Sequence, residues 1–155
     1  MLRYAAFTLA VIVAAMAQEK RPMTSHAAGP FDVKLNPQPL ADTAADASLG
    51  RMSIDKQYHG DLDAVAKGEM ITAAGLAVKE SAAYSAVERV TGTLHGKKGS
   101  FALQHTGIMD RGKPNLNITV VPDSATGELA GLTGKMDIII EGKQHSYVFE
   151  YEILR

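Results

Sequence analysis

The chain has 155 residues, enough for one domain with a real core, and its 16 basic and 17 acidic residues leave a formal charge of -1. No basic block is present, so the electrostatic footprint of a nucleic-acid binder is missing and nucleic acid is excluded as an expected partner. With no cysteine, disulfides, thiolate metal sites and a cysteine nucleophile are excluded as well.

The first segment with a physical signature is a leader. Arg3 gives a short basic stretch, Ala5 to Ala15 an apolar run, and Ala15-Met16-Ala17 an A-x-A site before Gln18, the order of a secretory signal peptide over residues 1–17. At roughly eleven residues the run is too short to cross a hydrocarbon core of roughly 30 Å as a helix. No cysteine follows the site to carry a lipid, so the chain is expected to be exported, periplasmic or secreted, with no stable membrane anchor after cleavage. Residues 18–30 carry Pro22 and Pro30 and no periodicity and read as a flexible leader, with residues 31–155 as the domain.

From Phe31 onward the period is two and no helical stripe of four turns occurs. A strand near Phe31 to Leu35 stops at Asn36-Pro37-Gln38-Pro39, and Asp42 to Asp46 is an alanine-rich turn. Arg51 to His59 follows, with Met52, Ile54, Lys56 and Tyr58 on one face; after a turn comes Ala64 to Ala74, on which the face of Glu69 is ambiguous. Ala82 to His95 puts Tyr84, Ala86, Glu88, Val90 and Leu94 together, so that Glu88 alone breaks an apolar series.

The next strand, Ser100 to Thr106, is expected to fold back across a turn at Gly96-Lys97-Lys98-Gly99. That turn would set Leu94 opposite Phe101 and Val90 opposite His105, with Glu88 diagonal to His105. Met109 to Pro114 reads as a loop. Asn115 to Val121 turns Leu116, Ile118 and Val120 inward, and its Asn117-Ile118-Thr119 sequon reads as accidental. A two-residue turn at Gly142-Lys143 then pairs Ile140 with His145, Ile138 with Tyr147 and Met136 with Phe149. About eight antiparallel strands remove their edges most simply by closing, so the expected fold is an all-β single antiparallel eight-stranded barrel, with a sandwich as the alternative.

Five segments carry a resemblance: Lys56-Gln57-Tyr58-His59-Gly60-Asp61-Leu62, Gly68-Glu69-Met70, Gly99 to His105, Thr126 to Gly134, and His145 to Tyr151. In that order they resemble the DUF3224 family of bacterial domains of unknown function. The resemblance implies an allene oxide cyclase-like barrel, as in plant allene oxide cyclases and dirigent proteins, and association into dimers or trimers. It implies no established reaction, and no cyclase catalytic residue matches position by position. Ser124-Ala125-Thr126 departs from the Ser-Gly-Thr expected there.

Glu88 with His105 is the candidate catalytic pair, on the expectation that an apolar cavity raises the carboxyl pKa; the other reading is a structural ion pair holding the hairpin. Lys56 reads as a counter-charge to Glu88 or Glu69, as a Schiff-base amine, or as a side chain reaching for the rim. Lys56, Tyr58, Tyr84, His145, Tyr147 and Tyr151 are the candidate ligand-binding residues, offering flat apolar area with polar tips, or else the filling of a small barrel. His26, His59, His95, His105 and His145 include no pair at metal-ligand spacing, and no cofactor motif is present, so no metal and no cofactor are expected. The resulting expectation is an exported barrel that binds a small, largely apolar molecule in its interior. A cofactor-free isomerase or cyclase and a structural barrel with a filled interior are the alternatives.

Overall fold

Side chains that alternate apolar and polar can bury one set only on a pleated sheet, and in this computed structural model, which describes residues 24–41 and 48–154, they do so on nine strands. These are β1 (Ser25–Gln38), β2 (Leu49–Tyr58), β3 (Leu62–Ala74), β4 (Ala82–Leu94), β5 (Lys97–Asp110), β6 (Lys113–Val120), β7 (Thr126–Gly127), β8 (Leu132–Glu141) and β9 (Gln144–Ile153). No helix occurs among the described residues. Neighbours run β4-β3-β2-β1-β9-β8-β6-β5, and β4 also pairs with β5, which closes an antiparallel barrel of eight strands. The two-residue β7 lies along the start of β5, continuing the line of β6, through Gly99 opposite Gly127. The β6–β8 seam is the thinnest, with Thr119 opposite Lys135 as its single registered pair. The signal-peptide segment and the turn at Asp42 to Asp46 lie outside the described residues.

Three expectations change. The stretch read as a flexible leader is a strand from Ser25 onward, paired with β9 from Ser25 opposite Tyr151 to Phe31 opposite His145. Its Ala27 enters the core, the Asp61 carboxylate accepts from the Ala28 N–H at 2.9 Å, and the Pro30 carbonyl accepts from His59 N–H at 3.0 Å. Alanine, glycine and proline give too little apolar contrast for an alternation to show, which is why the pairing is invisible in sequence.

The β4–β5 turn is His95-Gly96, both with positive φ (46° and 77°), the geometry of the tightest hairpin turn; Leu94 therefore faces Lys97, and Val90 faces Phe101. The register differs from expectation by an even number of residues, so every side chain keeps its face and Glu88, now opposite Leu103, is still diagonal to His105, opposite Ala86. The expected loop at Met109 to Pro114 is likewise a two-residue turn, with Asp110 opposite Lys113. The closing hairpin has the expected register throughout.

Inward residues pack unequally along the barrel. Towards one end Phe101 and Phe149 stack at 5.8 Å, Phe149 meets Tyr151 at 5.3 Å, and Leu62, Leu94, Leu129 and Leu132 fill the rest. Leu129, on the turn after β7, is buried and closes that end.

Candidate functional site

The opposite end is open. A cavity of about 520 Å³ enters the barrel there, and each of the eight barrel strands supplies wall residues, among them Val33, Ile54, Met70, Tyr84, Met109, Leu116, Ile138 and His145. The wall is largely apolar, with Thr72, Tyr84, Asn115 and His145 among its side chains, and at its inner limit Lys56 from β2 and His105 from β5 form a polar floor. Glu88, on β4, stands behind them.

The floor is a convergent network. Lys56 Nζ donates to Glu88 Oε1 at 2.9 Å, Tyr58 Oη donates to the same oxygen at 2.8 Å, and His105 Nε2 lies 3.1 Å from it. Lys56 Nζ also donates to Tyr58 Oη at 3.3 Å and sits over the Phe31 ring, 5.3 Å from its centroid. Lys56, Glu88 and His105 are 6%, 1% and 2% exposed and are the buried polar and charged residues of the described chain. Three groups share Oε1, whereas Oε2 is buried with no hydrogen-bond partner among the described residues.

The charge state of Glu88 corrects the expectation of a raised pKa. Burial pushes the carboxyl up, but the His105 hydrogen bond and the Lys56 charge outweigh it and hold the pKa at about 2, below its ordinary 4.5. Glu88 is thus an anion that can only accept hydrogen bonds, so His105 carries a proton on Nε2. Burial, and secondarily the Glu88 charge, drives the Tyr58 hydroxyl well above its ordinary pKa and the Tyr84 hydroxyl upward.

Lys56 does not reach for the rim. Its partner is Glu88, since Glu69 faces outward and pairs with Arg51 at 2.7 Å. Of the candidate ligand-binding residues, Lys56, Tyr84 and His145 line the cavity, and His145 packs 5.4 Å from Phe31. Tyr58 is sealed behind the floor. Tyr147 and Tyr151 belong to the barrel beyond it: Tyr147 Oη accepts from Leu62 N–H at 2.8 Å and donates to the His59 carbonyl at 3.0 Å, and Tyr151 Oη lies 2.6 Å from His95 Nδ1. These bonds pin turns, and neither tyrosine lines the cavity. No group of three His, Asp or Glu among the described residues could hold a metal ion.

Several wall residues had no signal in an apolar-face reading confined to Ser100 to Thr106 and Asn115 to Val121. Met109 and Pro114 face each other across the shortened turn and line the cavity; reading Arg111-Gly112 as a two-residue turn would have found them. Gly107 matters through what it lacks: a Cβ there would fall 2.2 Å from Tyr84 Cε1, so the bare backbone lets that ring lie across β5.

Over residues 27–151 the chain matches the family described as "Protein of unknown function (DUF3224)". A crystal structure of a protein with unknown function from the DUF3224 family, from Shewanella oneidensis MR-1, is similar to it at 46% identity and a TM-score of 0.80, covering 86% of this chain and 99% of that one. No curated protein matches the chain.

Proposed function

We propose that this chain, which belongs to the DUF3224 family, is an exported protein that binds a small, largely apolar molecule in the open end of its barrel. One observation carries the reading: a largely apolar cup of about 520 Å³ lined from all eight strands, with Lys56 and His105 at its floor. That size and lining suit a small-molecule site. A filled structural barrel accounts for the other end only.

The isomerase or cyclase reading draws less support. A proton shuttle at neutral pH needs a carboxyl poised near neutrality, and Glu88 at about 2 is too weak a base and carries no proton to give. Its role in this proposal is to hold Lys56 and His105 in place. Export is supported by the basic, apolar and A-x-A order of residues 1–17. Kinship with allene oxide cyclase-like barrels is supported by the eight-stranded antiparallel closure, and association into dimers or trimers by the exposed Val65, Ile71 and Val87 of neighbouring β3 and β4.

Native mass spectrometry of the purified protein tests the binding claim. The expected result is an adduct of a few hundred daltons, on the scale of a small-molecule pocket, that organic solvent releases, or uptake of an added apolar probe at one equivalent. A protein that carries nothing and takes up no apolar probe contradicts it.

A further inference from the structure

Among the described residues no aspartate or glutamate lines the cup; its ionisable lining residues are Lys56, Tyr84, His105 and His145. An ammonium has three N–H donors, and Lys56 uses two, on Glu88 Oε1 and Tyr58 Oη, which leaves one for the cavity that its side chain lines. His105 meets Glu88 through Nε2, and its Nδ1 has no partner among the described residues. Glu88 Oε2 is the fully buried side-chain nitrogen or oxygen that lacks a partner there. His105 Nδ1 is therefore not fully buried, and it opens on the cavity that its ring lines. The charges of Lys56 and His105 both help to hold the Glu88 carboxyl below its ordinary pKa, so two cations share one anion and the floor carries one positive charge in excess. Where the imidazole is uncharged, an arriving anion draws a proton from solvent onto Nδ1 and reaches the same state.

Resting on the binding role proposed above, we infer that this floor recognises a carboxylate: the ligand is an apolar acid whose oxygens accept from Lys56 Nζ and His105 Nδ1 while its hydrocarbon fills the cup. Both side chains reach one Glu88 oxygen, at 2.9 and 3.1 Å, so they are neighbours on the floor and a single small anion can meet them together. Two charge-assisted hydrogen bonds offset the desolvation of that anion. Its one negative charge matches the one in excess, whereas a phosphate monoester brings up to two. Lys56 and His105 then stand between two anions, Glu88 behind the floor and the ligand in front of it. A neutral alcohol leaves the excess charge unanswered, and an alkylammonium adds a further cation beside it.

Calorimetric titration at about pH 7, where an aliphatic carboxylic acid is ionised, ranks decanoate, decanol and decylammonium on the wild-type protein. Decanoate binds tightest, by about tenfold or more over decanol, and decylammonium binds weakest. In Lys56→Met the preference for decanoate over decanol falls to about threefold or less. His105→Gln, which keeps an amide donor for Glu88 and removes the imidazole, lowers the preference in the same direction and serves if Lys56→Met does not fold. Decanoate binding no tighter than decanol, or an unchanged preference in a folded variant, overturns the carboxylate inference and leaves the binding role standing. If none of the three binds, both fall.

Discussion

On β4 and β5 the inward positions towards one end include Val90, Leu94, Phe101 and Leu103, all buried, and towards the other Ala82, Ala86, Gly107 and Met109 beside one large ring, Tyr84. The alternation is the same at both ends, and so is the hydrogen-bonded frame. What differs is side-chain volume, and with it the first end packs into stacked aromatic rings while the second keeps about 520 Å³ open. The Lys56–Glu88–His105 network lies at the boundary between them, where a charge can be satisfied from three strands at once. Pattern decides that a barrel forms; the size of its inward residues decides which part of it can hold a ligand.

If this division holds, the largest change comes from the packed end. Phe149→Ala removes a fully buried ring that touches both Phe101 and Tyr151 and is expected to cost about 3–5 kcal/mol in urea unfolding. Ile140→Ala, at the rim and 63% exposed, is expected to change stability by less than about 1 kcal/mol. Equal costs for the two would erase the contrast.

The boundary network comes next. The Glu88 carboxyl titrates at about 2 in the folded chain and near its ordinary 4.5 when unfolded, so its contribution is full above about 4.5 and is lost as pH falls towards 2. That contribution is on the order of 3 kcal/mol. Unfolding free energy followed from about pH 5 downward should therefore fall more steeply in the wild type than in Glu88→Gln, which starts from a lower baseline because it strips Lys56 of its counter-charge. Parallel curves would mean that Glu88 is not a paired anion.

A smaller effect separates cup from core. Gly107→Val puts a side chain into the place of the Tyr84 ring and is expected to cost about 1–3 kcal/mol while weakening uptake of an apolar probe far more than Phe149→Ala does among molecules that remain folded. Probe uptake indifferent to Gly107→Val would move the ligand elsewhere. Smallest of all, Glu69→Ala breaks an exposed pair with Arg51 and should leave both stability and probe binding unchanged.

The sequence reveals the frame better than the site. Period-two alternation identified all eight barrel strands, β1 in its second half only, and placed Glu88 and His105 on one inner face, and an even-numbered register error at His95-Gly96 left that face intact. The first half of β1 escaped because Ser25 to Pro30 lacks bulky apolar residues, and its pairing depends on β9, far away along the chain. Tyr147 and Tyr151 share the parity of His145 but not its height in the barrel, and height follows from strand stagger, which no single strand encodes. The lowered carboxyl pKa was illegible for the same reason, since it depends on Lys56 arriving from two strands away.

The most direct test of an open end above a packed one is a methyl-resolved NMR titration of the purified protein with decanol. The account predicts saturable shifts at Ile54, Leu116 and Ile138, which line the cup, with Leu62, Leu94 and Leu132 unmoved. Shifts centred on the second group, or no saturable shift in either, would contradict it.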